Sequence, residues 1–179
     1  MREDPGQLEL LYEKYFQDVY QYLLFFTNSQ NEAEDLTQEA FIRVFKSYPL
    51  FNHKSSVKTW IISIAKRTAI DHYRKRKWIS LLPETIADVM RSEEGNPQQL
   101  IEGKEEWEVI QRALFTLKPD YRNVVILRGL KEYSVKETAD ILNWKESKVK
   151  VAYHRAVKLL KEQLGSLGEG GVIHERKIR

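Results

Sequence analysis

The stretch YSVKETADILNWKESKVKVAYHRAVKLL, residues 133–160, decides the fold class, because it holds two apolar helical periods on either side of a short turn. Ser134 is placed to cap the first helix, and Ala139 is small where two helices must cross closely. Ile141-Leu142-Asn143-Trp144 is the expected turn, with Asn143 supplying the left-handed backbone that a glycine often provides. In the second helix Val149, Ala152, Tyr153, Ala156 and Leu160 recur at spacings of three or four and form the buried side. The opposite side carries Ser147, Lys150, Val151, His154, Arg155 and Lys158. Apolar anchors beneath and donors above are what a helix lying in the major groove of DNA requires. The same pattern suits a helical hairpin with a solvated basic face, and these residues alone leave both readings open.

Upstream of this motif the period stays helical. Lys118-Pro119-Asp120 is a sharp junction before Val124, Val125 and Leu127, and Asn96-Pro97 is a start signal for a helix containing Trp107, Ile110, Leu114 and Leu117. Near the N-terminus Asp4-Pro5 with Gln7 opens a helix carrying Leu8, Leu11, Tyr12, Tyr15, Phe16, Val19, Leu23 and Phe26. Asn28-Ser29 breaks it, and Ser29 with Glu32 starts a second helix with Ala33, Leu36, Ala40, Val44 and Phe45 on one face, stopped by Tyr48-Pro49. Ser55-Ser56 then starts a third helix expected to reach about Lys77, a rod more than ~30 Å long whose basic end projects from the body. Between Leu82 and Gly103 the period decays among Pro83, Gly95, Pro97 and a run of acids.

Charge divides the chain in the same way. Lys plus Arg total 29 and Asp plus Glu 26, a formal net charge of only +3, yet the signs are segregated. Residues 1–40 are acidic, with Arg2 and Lys14 the only bases. Lys66, Arg67, Arg74, Lys75, Arg76 and Lys77 face only Asp71 between 66 and 77. Residues 83–108 are acidic again, and 145–161 are basic. Two basic blocks separated by an acidic stretch point to two polyanion-binding faces on two bodies. Trp60, His72, Tyr73 and Trp78 interleave with the first block; cations attract phosphates and exposed rings stack on unpaired bases, although a core position is the expectation for Trp60. The chain has no cysteine, which removes disulfides, thiol catalysis and cysteine-ligated metals. His53, His72, His154 and His174 are scattered, and phosphate-loop glycines are absent, so no catalytic residue, metal or cofactor is expected. No stretch approaches the ~18 apolar residues of a membrane span, and the N-terminus lacks a secretory pattern, so a cytoplasmic protein is expected.

Asp35-Leu36-Thr37-Gln38-Glu39-Ala40-Phe41-Ile42-Arg43, then Thr59-Trp60-Ile61, then Ala69-Ile70-Asp71 with Arg74-Lys75-Arg76, resembles the promoter-melting domain of the extracytoplasmic-function (ECF) sigma factors of bacterial RNA polymerase. Leu117-Lys118-Pro119 through Arg128, Ser134 to Ala139 and Ser147-Lys148-Val149-Lys150 with His154-Arg155-Ala156 and Leu160 resemble the second domain of the same family, and the resemblance runs over residues 8–164, nearest to sigma-X-like members. It implies an all-α chain of two small helical domains, a sigma region 2 bundle over 1–80 and a sigma region 4 helix-turn-helix over 107–164. A flexible acidic linker (81–106) joins them, and a flexible tail (165–179) follows.

The resemblance also assigns roles. Glu32, Asp35, Leu36, Gln38 and Glu39 would dock on core RNA polymerase. Phe51, Asn52, His53, Lys54, Ser55 and Ser56, with Lys66 and Arg67, would hold the −10 element, and Arg74, Lys75, Arg76 and Lys77 would grip phosphates. Lys150, Val151, His154 and Arg155 would read the −35 element, with Ser147, Lys148 and Lys158 on the backbone. Many members have Asn where this chain has Arg67, which leaves the −10 base preference open, and Val151 offers only apolar contact, for instance to a thymine methyl. The implied partners are core polymerase, promoter DNA and an anti-sigma factor, often membrane-anchored, with no small-molecule substrate. The alternative is an autonomous helix-turn-helix regulator that binds a symmetric operator without polymerase.

Overall fold

The computed structural model describes residues 5–81 and 105–167, and among these every regular element is helical. They belong to two compact units, divided between Gln99 and Leu100. Most of the predicted linker, the Asn96-Pro97 start signal, Asp4 and residues 168–179 of the predicted tail lie outside the described residues.

The first unit is a bundle of α1 (Pro5–Thr27), α2 (Gln30–Ser47) and α3 (Val57–Ile79), each packed on the other two. Local chemistry sets its corners. Asn28 takes the left-handed conformation (φ 57°) between α1 and α2. The Ser29 hydroxyl accepts the Glu32 N–H at 3.3 Å, and Ser56 accepts the Thr59 N–H at 3.0 Å, so two orphan helix-end donors are satisfied. A 3-10 turn, Tyr48–Leu50, follows α2 with Pro49 inside it. Val19, Leu23 and Phe26 meet Ala33, Leu36, Ala40 and Val44 in the core, as the spacing predicts. Two large residues were not anticipated there: Tyr22 is fully buried, and Phe41 rather than Phe45 occupies the centre of the α2 face. Tyr12 is exposed and meets the Phe41 ring edge-on at 4.8 Å. α3 has 23 residues, hence about 34 Å of rod. Its basic end does not simply project: Ile79 is buried, and ion pairs tie the last turns to α2.

The second unit comprises α4 (Glu105–Thr116), α5 (Pro119–Val125), a π-helical turn (Ile126–Leu130), α6 (Val135–Leu142) and α7 (Glu146–Leu167). α4, α5 and α6 all pack on α7. Lys118 stands at the N-cap position of α5 without a side-chain cap, and Pro119 occupies the first turn. Buried Arg122 donates to three carbonyls at the end of α4: Leu114 at 3.2 Å, Phe115 at 2.5 Å and Leu117 at 3.2 Å. One guanidinium thereby answers several C-terminal acceptors that the helix cannot satisfy itself. Ser134 forms a reciprocal capping box with Glu137. Asn143 adopts φ 55° and ψ 49°, as predicted. The turn itself is shorter than predicted. Ile141 and Leu142 complete the last turn of α6 and are buried, because the apolar period continues up to the left-handed residue. α7 runs through Gly165 to Leu167, past the residue at which the tail is expected to begin.

Candidate nucleic-acid interface

The two units present different surfaces. On α2, Asp35, Gln38 and Glu39 are exposed, and Ile42, which is 52% exposed, continues the same face at helical spacing. Sequence reading assigned no role to Ile42; its spacing of seven from Asp35 was the available signal. Two of the five residues expected on this face are placed differently. Leu36 is turned into the core and is 4% exposed, because it continues the buried period of Ala33, Ala40 and Val44. Glu32 points across to α3: Oε1 accepts from Arg76 Nη1 at 2.5 Å, and Oε2 lies 3.2 Å from His72 Nε2. Burial pushes the Glu32 carboxyl up, but His72 and Arg76 more than offset that and hold it below the ordinary carboxylate value. Glu39 pairs with Arg43 at 2.6 Å, and Arg43 also holds Asp71 of α3 at 2.9 Å.

The loop before α3 is an aromatic cluster. Phe51 lies 4.7 Å from Trp60 and 4.6 Å from His53, and Tyr48 is 6.1 Å from Trp60. His53 reaches this position through a left-handed backbone (φ 56°), and Asn52 Oδ1 accepts the Lys54 N–H at 3.2 Å, so the loop carries its own turn. Asn52, His53 and Lys54 are exposed, whereas Phe51, Ser55 and Trp60 are half-buried. The Ser56 hydroxyl is engaged in the helix cap.

From Trp60 the outward stripe of α3 continues through Ser63, Arg67, Ile70, Arg74 and Lys77, successive residues three or four apart. Arg67, Arg74 and Lys77 are exposed, as is Lys75 beside them, and Lys66 is half-buried. Arg76, predicted to join them on phosphates, is on the opposite edge in the Glu32 pair. The loop and Lys66 are separated by about 14 Å of helix, so the predicted −10 set forms a track along α3, not one pocket.

On α7 the predicted division holds closely. Val149, Ala152, Ala156 and Leu160 are buried; Ser147, Lys148, Lys150, Val151, His154, Arg155 and Lys158 are exposed. Tyr153 is the exception, half-buried under the Arg128 guanidinium at 5.7 Å. Lys148 sits 3.7 Å over the Trp144 ring, a contact that restrains one cation at the start of the helix. Lys158 approaches Glu162 at 3.9 Å, the range of a weak exposed pair. The face combines cations, one imidazole and the apolar Val151, and can meet phosphates and base edges together.

Comparison with known proteins agrees with this division. Residues 11–79 match the Sigma-70 region 2 family, and residues 107–160 match Sigma-70, region 4. The ECF RNA polymerase sigma factor SigX of Bacillus subtilis is 41% identical over 165 residues, covering 90% of this chain and 85% of SigX. The chain belongs to the ECF RNA polymerase sigma factors. The sigma factor YlaC of the same organism is 32% identical to this sigma factor, over 88% of this chain and 91% of YlaC. Among solved structures, RpoE bound to the anti-sigma factor NepR from Bartonella quintana has a TM-score of 0.69 at 20% identity, covering 89% of this sigma factor and 97% of RpoE. CnrH in complex with the cytosolic domain of CnrY has a TM-score of 0.66 at 16% identity, covering 91% and 90%. These two establish likeness of fold. Among the described residues of the sigma factor, no helix is long and apolar enough to cross a membrane.

Proposed function

We propose that this chain is an alternative sigma subunit that binds core RNA polymerase in the cytoplasm and directs it to promoters carrying particular −35 and −10 elements. Asp35, Gln38 and Glu39 dock on polymerase, with Ile42 as an apolar anchor beside them. The aromatic loop Phe51–Ser56 and the α3 track of Lys66, Arg67, Arg74, Lys75 and Lys77 receive the −10 region. Lys150, Val151, His154 and Arg155 contact −35 bases, with Ser147, Lys148 and Lys158 on the backbone. The single observation that carries this reading is that both sigma regions occur in one chain 41% identical to SigX.

Energetics explain why docking and DNA contact belong together. Opening a duplex costs a few kcal/mol for each unstacked step, and a stacked or pocketed base returns about 1–3 kcal/mol. A chain of 179 residues cannot open DNA far alone; polymerase contacts supply the difference. The acidic stretch between the units repels phosphate and keeps that segment off the DNA. The chain makes and breaks no covalent bond, and an anti-sigma protein that covers the docking or DNA faces restrains it.

Run-off transcription with purified core polymerase on a randomised promoter library tests the proposal. Start sites that depend on this chain and share two elements are expected. Tight binding to a symmetric duplex, with no redirected transcription, would instead establish an autonomous regulator.

A further inference from the structure

The predicted polymerase face and the predicted DNA face share a side chain. His72 and Arg76 are four residues apart and lie on the same edge of α3, and the Glu32 carboxylate of α2 takes one with each oxygen. The Glu32 side chain is 14% exposed and that of Arg76 36%, so the carboxylate is the more enclosed partner. An incoming protein surface cannot claim it without dismantling the pair. A second tie, Arg43 to Asp71, reaches the same stretch of α3 from another point on α2. Two ion pairs therefore converge on residues 71–76, the stretch immediately beside Arg67, Ile70, Arg74 and Lys77 on the outward stripe.

We propose that Glu32 is a positioning residue for promoter DNA and not a polymerase contact: by holding Arg76 and His72 against α2 it fixes the last turns of α3 and so the places of Arg74 and Lys77 relative to Arg67. Helix hydrogen bonds fix the spacing of the row, but the last turns of a long helix can still bend or fray away from the body unless something on their rim holds them. Ile79, buried one turn beyond Arg76, anchors this end by apolar contact, and the Glu32 pair supplies the directional restraint that apolar contact lacks. The row needs that restraint because each phosphate contact depends on a cation arriving at a fixed spacing along the strand. The inference rests on the sigma reading for the DNA that lies on this face.

The test uses the full chain, Bacillus subtilis core polymerase and a forked promoter DNA, duplex upstream and single-stranded across −10 on the non-template strand, with the sequence recovered from the run-off library. Glu32→Gln is expected to leave affinity for core polymerase within about twofold, which also reports that the bundle is folded, and to weaken holoenzyme binding to the fork by roughly fivefold. Arg76→Met is expected to weaken fork binding by no more than Glu32→Gln, since His72 stays beside Glu32, and the double variant to be no worse than Glu32→Gln alone. Tighter fork binding by Glu32→Gln would overturn the proposal, because Glu32 would then be withholding Arg76 from a phosphate. Loss of core binding by Glu32→Gln with normal thermal unfolding would overturn it in favour of a docking contact. If Glu32→Gln does not fold, Glu32→Asp, which keeps the charge one methylene short, is put through the same two titrations with the same expected and overturning outcomes. Failure of the wild-type chain to bind core or fork would strike the sigma reading itself and is separately visible.

Discussion

At the end of α3, Arg76 and His72 close on Glu32, and Asp71 closes on Arg43. On α7, by contrast, Lys150, His154 and Arg155 stand exposed, with no ion pair among the described residues. Both helices are basic, but the end of α3 is tied by ion pairs to another helix of its unit, whereas the Lys158–Glu162 pair of α7 stays within the helix. The difference matches the two forms of DNA proposed for them. A duplex groove is itself rigid and presents donors and acceptors at fixed places, so long exposed side chains can adjust to it. A separated strand is floppy, and the protein has to supply the fixed geometry. Basic composition therefore says little until it is known which cations are already answered inside the fold.

The largest effect is expected from reversing Asp35 and Glu39 together to Lys. Like charges set against a partner surface cost several kcal/mol, so capture of core polymerase should fall at least about a hundredfold. Binding of the same variant to −35 duplex should be unchanged; joint loss of both would mean that the two units are not independent. Next, Arg122→Met strips the α4 carbonyls of their buried donor and is expected to cost about 2–3 kcal/mol. Hydrogen exchange should report that loss in residues 105–167 and leave 5–81 protected. Arg155→Ala is expected to weaken −35 duplex binding by about 2 kcal/mol and to relax discrimination there. An equal loss on scrambled duplex would make Arg155 a phosphate contact. The smallest effect is a pH dependence. The Glu32 carboxyl lies below its ordinary value of 4.5 in the folded chain. The pair's contribution is thus fully present above that pH and is lost as pH falls through the lower, folded value. Melting temperature followed into acid should drop more steeply for wild type than for Glu32→Gln, and parallel curves would deny the pair any part in stability.

Features set by short-range chemistry were legible in the sequence. Ser29, Ser56, Ser134 and Asn143 act within three or four residues of themselves, and each is found in the predicted conformation or hydrogen bond. The apolar period likewise gave most of the core and nearly all of the exposed face of α7. Tertiary pairing was not legible. Glu32 and Arg76 are 44 residues apart, and nothing in either segment marks an acid that faces inward from one that faces solvent. Leu36 is a different case: its period with Ala33, Ala40 and Val44 marked it as core, and that local geometry overrides the docking motif that also claimed it for the surface. Arg122 is the mirror case: nothing in its own segment marks it as buried, yet its five donors suit it to the carbonyls around the end of α4. The π turn after α5 had no signal, since one extra residue per turn leaves the apolar count almost unchanged.

Two threonines in the first unit, Thr37 and Thr68, are buried, and each hydroxyl donates to the carbonyl four residues earlier in its own helix. A hydroxyl answered at home makes no demand on a neighbour across the bundle. During divergence such positions can be exchanged one at a time for alanine, serine or valine, without stranding a group elsewhere. The rim is under the opposite rule, because a change at 32 leaves a cation at 76 unanswered. The middle of this bundle is thus open to independent drift, while its edge changes by coordinated steps.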